Sequence, residues 1–437
     1  MSRGKRGRTK RRVYWPAALL LTVMIAAAFW GIPKLMEPET EPVSSQEPLP
    51  ADPAGPAEPE EPSIPEPDPE PDPVLPPDSE PDPAAELLAG MTLREKLCQM
   101  FVVYPSAITG VSKVTSAGEG TRQALEEWPV GGLLYDRSNM VDQEQVREML
   151  ANTQSYSKIP LILTCDEEGG RVNRLMDTIG TTKIGPMLSY KDQGPGKAAE
   201  NARTIASDLI SCGFNMDLAP VADVWSNPAN TVIGDRAYSD DFVQAAELVA
   251  AAVEGFHQGG AACTLKHFPG HGDTSADSHY GSVYVHKTLE ELRQGELLPF
   301  QAGIDAGADA VMMGHLILDQ IDDQPALFSY ALVTGLLREE MGFAGVVITD
   351  GLQMQAMTDH YSSGEIAVGA VKAGVDILLC PKKLDEAVAA LTAAVESGEI
   401  TEERIDESVL RILRLKQGFQ EVQEGTEINF AKLEPKR

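Results

Sequence analysis

Residues 263–270 read CTLKHFPG, a short apolar-led run of strand length that turns abruptly to charged and ring-forming side chains. Pro269 and Gly270, with Gly272 two residues on, argue against a regular helix or strand at that point. The segment continues as Lys266-His267-Phe268-Pro269-Gly270-His271-Gly272 and, after four residues, Asp277-Ser278-His279. So dense a set of histidine, carboxylate and lysine in an irregular stretch is hard to explain as core packing. It reads as an active-site loop launched from the end of a strand.

Outward from this run the same pattern recurs. Strand-length apolar runs stand at QMFVVYP (99–105), VGGLLYD (130–136), PLILTCDEE (160–168), GFNMDLAP (213–220), AVMMGHL (310–316), GVVITDG (345–351) and VDILLCP (375–381). Between them lie stretches of helical period such as TRQALEEW (121–128) and DEAVAALTAAVE (385–396). With CTLKHFPG these make eight runs alternating with helices, which predicts an α/β fold, a (β/α)8 TIM-type barrel over residues 85–437 with none left for a second domain. Charged groups gather at the C-terminal ends of the runs: Asp136, Asp166, Lys266 with His267, His315 and Asp350. That rim is where a barrel of this class builds its site. Polar strand ends, where a chain leaves its core, explain one or two of these residues but less easily the Lys-His pair or Asp350 directly after Val346-Val347-Ile348-Thr349.

Charge is unevenly distributed along the chain. Residues 1–36 hold eight basic groups and no acidic one, and residues 37–84 hold fifteen acidic groups and no basic one. Of the total of −30 this leaves −23 for the rest, a poor match to nucleic acid, whose phosphates need clustered Lys and Arg. The basic cluster precedes an uncharged run from Val13 to Pro33, close to the ~20 residues that span a bilayer. Residues 1–36 are therefore expected to be a basic cytoplasmic tip and transmembrane anchor, with all that follows outside the membrane. Cleavage at Ala26-Ala27-Ala28 is the alternative, and either way the body is exported. Residues 37–84, rich in Pro and Glu, cannot form a core and are expected to be a disordered linker. At roughly 3.1 Å per residue it reaches up to ~150 Å, a stalk suited to a target such as cell-wall material. The five cysteines are dispersed, without a CxxC pair, which indicates neither a structural zinc nor a disulfide framework.

The KHFPGHG segment with its following Asp-Ser-His resembles the motif of family 3 glycoside hydrolases that act as β-N-acetylglucosaminidases. The resemblance extends over about residues 88–420, through MTLREKLCQMF, DEEGGRVNRL, VIGDRAYS and VVITDGLQM. It implies a (β/α)8 barrel and a retaining mechanism in which Asp350 is the nucleophile, forming a covalent glycosyl-enzyme. By the same resemblance His279 is the general acid/base and Asp277 its partner. An imidazole with an ordinary pKa near ~6.5 gives and takes protons near neutrality, and a nearby carboxylate orients the ring. Sugar binding falls to Asp166, Arg174, Arg236, Lys266 and His267, whose charged, multi-donor heads suit hydroxyl groups. Gly169-Gly170 is expected to turn the backbone tightly behind Asp166. His271 is expected to support the loop, and His315 carries no assigned role. Related glucoside-cleaving barrels carry a second domain that supplies a carboxylate, so the histidine loop favours N-acetylglucosaminide.

The expected protein is thus an exported exo-β-N-acetylglucosaminidase, monomeric, acting without metal or organic cofactor on terminal N-acetylglucosamine of wall-derived muropeptides. Three rivals remain open. The cluster of His267, His271, Asp273, Asp277, His279 and His286 is rich enough in ligand atoms for a metal-dependent hydrolase. A catalytically inactive glycan-binding module is the second. The third is phosphorolysis at the same site, since a histidine repels phosphate less than a carboxylate does.

Overall fold

The computed structural model describes residues 82–274 and 283–425, with side chains through residue 419. The expected anchor and all but the last residues of the linker lie outside the described residues, as do Asp277 and His279. Among the described residues no helix is long and apolar enough to cross a membrane.

All eight runs form strands: β1 (Phe101–Val103), β2 (Gly132–Leu134), β3 (Ile162–Cys165), β4 (Met216–Asp217), β5 (Thr264–Phe268), β6 (Ala310–Met313), β7 (Val346–Thr349) and β8 (Leu378–Leu379). Each adjacent pair is parallel. One sheet runs β8-β1-β2-β3-β4 and another β5-β6-β7. Single parallel bridges, Met216 to Ala262, Val221 to Lys266 and Ile348 to Ile377, join the two sheets at both seams. The order returns from β8 to β1, so the strands close into a barrel. Every residue of these strands is buried, which is why they read as continuous apolar runs rather than alternating ones.

Helices fill the connections, including Glu119–Glu127, Gln143–Tyr156, Pro195–Cys212, Phe242–Gly259, Ser363–Ala373 and Leu384–Glu396. Their starts follow local chemistry. Thr92 with Glu95 and Ser362 with Glu365 form reciprocal capping boxes that satisfy otherwise orphaned N–H groups. Asp136, expected on the catalytic rim, is instead a cap: its carboxylate accepts the Ser138 N–H at 2.7 Å and starts the short turn Arg137–Asn139.

At the N-terminal ends of the strands the barrel has a polar floor. The C-terminal helix, Glu402–Gly425, lies against it. Its Lys416 ammonium, fully buried, donates to Gln99 Oε1 at 2.6 Å, just before β1. Burial without a charged partner pushes the Lys416 pKa down to about 7. Asp376, just before β8, is likewise buried and accepts Ser408 Oγ at 2.6 Å and Arg411 Nη1 at 3.1 Å from the same helix, with Arg338 on its other oxygen. Arg414 donates to Asp82 at 2.8 Å, so the first described residue is fastened to the last helix.

Candidate active site

At the opposite, C-terminal ends of the strands the structure assembles four of the expected residues, together with Glu168, into one relay. Lys266 Nζ lies 3.0 Å from Asp166 Oδ1 and 2.6 Å from Glu168 Oε1. Arg174 Nη2 donates to Asp166 Oδ2 at 2.9 Å, and Arg236 grips Glu168 with two bonds of 2.8 and 2.7 Å. The order Arg174–Asp166–Lys266–Glu168–Arg236 alternates in sign and carries three positive charges against two negative. Its interior is shielded, with Lys266 and Glu168 side chains 2% and 1% exposed, while Asp166 and Arg174 open to 23% and 26%. A polar ligand therefore meets Asp166 and Arg174 first, and the buried pair holds them. Arg236 and Lys266 keep Glu168 well below the ordinary carboxylate range despite its burial. The Lys266 pKa is correspondingly raised, because two carboxylates outweigh the desolvation cost.

The DEEGG turn supplies this order. Gly169 and Gly170 both have positive φ, 87° and 57°, and a Cβ on Gly170 would lie 2.7 Å from Pro186 Cα. Only glycine tolerates both the conformation and the approach. Glu167 turns the other way. Its carboxylate accepts the N–H groups of Arg174, Leu175 and Met176 at 2.5, 2.7 and 3.1 Å, which fixes the loop that presents Arg174.

Strand β5 runs to Phe268, so Lys266 and His267 belong to the strand and the irregular loop begins at Pro269. Its pairing with β6 slips between Lys266 and Phe268. His267 is held by Asp223, a buried carboxylate beyond β4. Asp223 Oδ2 pairs with His267 Nδ1 at 2.7 Å, and Oδ1 accepts the His271 N–H at 2.6 Å. His271 does support the loop: its Nδ1 pairs with Thr274 Oγ1 at 2.8 Å and its carbonyl accepts Asn230 Nδ2 at 2.8 Å. Gly272 is pressed against the backbone, where a Cβ would come 1.6 Å from the Val224 carbonyl oxygen.

Asp350 follows β7 and keeps some exposure. Burial raises its pKa, but the positive fields of His315, His267 and Lys266, with the Gly351 N–H on Oδ1 at 2.6 Å, outweigh it and hold the carboxyl at about 2. His315 is buried, and its Nε2 donates to the Gly351 carbonyl at 3.0 Å, bracing the turn that carries Asp350. A carboxylate ionised at any ordinary pH, beside a cationic relay, can attack or stabilise an electron-poor carbon.

Of the histidine and acid cluster considered for a metal, His286 pairs with Asp319 at 2.7 Å and Asp273 with Lys287 at 3.1 Å. Glu168, Glu167 and Asp223 went unassigned in the sequence. For Asp223 the signal was an acid inside an apolar context, Pro220-Val221-Ala222-Asp223-Val224, where a buried charge demands a partner.

The glycosyl hydrolase family 3 N terminal domain matches residues 92–415. Beta-hexosaminidase A of Pseudoalteromonas piscicida is 33% identical over 324 residues, 67% of this chain and 54% of that protein. The beta-hexosaminidase of Stenotrophomonas maltophilia (strain R551-3) is 36% identical over 282 residues, 62% of this chain and 82% of its own length. Among solved structures, a glycoside hydrolase family 3 beta-N-acetylglucosaminidase from Paenibacillus sp. str. FPU-7 aligns with a TM-score of 0.71 at 40% identity, covering 76% of this chain and 63% of that one. M tuberculosis LpqI aligns with a TM-score of 0.68 at 32% identity, covering 76% and 96%. The chain thus spans about half of the Pseudoalteromonas protein and under two thirds of the Paenibacillus chain. With the family's domain matched from Thr92 into the C-terminal helix, and the relay lying inside that match, the chain belongs to glycosyl hydrolase family 3.

Proposed function

We propose that the protein is a retaining exo-β-N-acetylglucosaminidase that releases terminal N-acetylglucosamine from cell-wall-derived glycans such as muropeptides. One observation carries this: the ionised Asp350 stands in the field of the cationic relay that ends on Asp166 and Arg174. The names of the relatives, beta-hexosaminidases and a beta-N-acetylglucosaminidase, support the sugar class. Asp166, Arg174, Lys266 and His267 hold the hydroxyls of the terminal sugar, and Arg236 holds Glu168 in place behind them. Asp350 attacks the anomeric carbon while His279, oriented by Asp277, protonates the departing oxygen. His279 then takes a proton from water, which displaces the sugar from Asp350. The residues 1–36 hold the enzyme on the outer side of the membrane, and the linker 37–84 extends it toward the wall.

The test is a panel of aryl glycosides comparing N-acetylglucosaminide, glucoside and xyloside. Turnover of the N-acetylglucosaminide well above the others is expected. Preference for glucoside or xyloside overturns the substrate class, and tight sugar binding without turnover favours a binding module.

A further inference from the structure

A second polar cluster lies at the floor of the barrel, remote from the relay. His257 is near the C-terminal end of helix Phe242–Gly259, Cys263 immediately precedes β5, and Asp309 immediately precedes β6. The Ala310 N–H bonds to the Cys263 carbonyl at 3.1 Å, which places the two strand starts side by side. His257 Nε2 lies 2.9 Å from Asp309 Oδ2, and one ligand atom from each of the three residues lies within 4.8 Å of the others. Among the described residues this is the group of histidine, cysteine and carboxylate atoms that converges so closely.

We infer that His257, Cys263 and Asp309 form a structural site for a zinc-class divalent ion. One nitrogen, one sulfur and one oxygen ligand leave a fourth tetrahedral position open, a set that suits a borderline-soft cation. Metal–ligand bonds of about 2.0–2.3 Å need the ligand atoms only slightly further apart than the His257–Asp309 contact. Asp309 is steadied from behind, since the Cys263 N–H donates to its Oδ2 at 2.9 Å, and such outer support tunes ligand orientation. The helix that carries His257 presents its negative dipole end there, which favours a cation. Cys263 is sealed from solvent, but the His257 and Asp309 side chains are 38% and 25% exposed, which gives an ion a way in. Binding releases the Cys263 thiol proton to solvent, moves the His257 proton from Nε2 to Nδ1, and replaces the His257–Asp309 hydrogen bond with two metal bonds. The ion would tie the helix to the starts of β5 and β6, at the end of the barrel away from Asp350. No sequence motif marks the site, because its ligands stand six and forty-six residues apart.

The full-length protein, stripped with chelator, is titrated with Co2+ and then with Zn2+. One equivalent of Co2+ is expected to produce a thiolate-to-cobalt charge-transfer band, absent in Cys263→Ser. Saturating Zn2+ is expected to raise Tm by about 3–5 °C in the native chain and to leave Cys263→Ser unmoved. His257→Gln, at a half-exposed position, is expected to weaken Co2+ uptake at least about tenfold. Hydrolysis of the aryl glycoside by both variants confirms that they are folded. Absence of the sulfur band in the native chain overturns the site. So does a band that survives Cys263→Ser, or cobalt bound with only the weak spectrum of nitrogen and oxygen ligands.

Discussion

On the proposed reading, Asp350 and Asp223 divide the labour of the rim: one carboxylate attacks the sugar and the other positions His267. Asp350→Ala is expected to abolish turnover of aryl N-acetylglucosaminides. His279→Ala should depress kcat for poor leaving groups far more than for good ones, and equal losses would remove it as the general acid. With its pKa held at about 2 against an ordinary 3.8, Asp350 remains ionised throughout pH 4–8. The pH profile of kcat/KM in that window then reports the acid/base group, and His279→Ala should erase the loss of rate on the alkaline side. The depressed carboxyl also contributes stability that is present above about pH 3.8 and lost as pH falls through about 2. Asp223→Asn removes an acceptor shared by the His267 ring and the His271 N–H. A fall of about 10–100-fold in kcat/KM is expected, with the fold intact by circular dichroism. The residues that met at the rim, Asp166, Arg174, Arg236, Lys266 and His267, were legible because they stand in or beside motifs. Glu168 and Asp223 were not, because their work is defined by contacts 68 and 44 residues away along the chain.

The strands were readable as elements because a parallel barrel buries both faces of each one, and a doubly buried strand leaves an unbroken apolar run. Asp136 shows the limit. A charge at a strand end signals either the site or a cap, and only its bond to the Ser138 N–H decides. The loop after β5 is seated by Gly272, whose missing side chain lets the chain touch the Val224 carbonyl. Gly272→Ala should cost about 3 kcal/mol or more, read as a lowered denaturation midpoint together with lost activity. The C-terminal helix carries the opposite kind of defect. The unfolded chain holds the Lys416 proton up to about pH 10.5, and the folded chain releases it near 7. Native stability should therefore rise with pH across that window. Lys416→Met should be more stable than the native chain at pH 6, by a few kcal/mol less the cost of stranding Gln99. Its advantage should shrink toward pH 10. Parallel urea titrations at the two pH values check both the sign and the slope.

For the whole molecule, the acidic body and the basic tip call for different surroundings. If residues 1–36 hold the chain at the membrane, the full chain should sediment with membranes, and proteolysis within residues 37–81 should release a soluble, fully active body. Recovery of the intact chain in the soluble fraction would remove the anchor. The fastening of Asp82 to Arg414 on the floor helix also gives the enzyme a direction. Asp82 itself is moored at the pole of the barrel opposite Asp350. Any pull on that mooring loads the last helix before it reaches the catalytic rim.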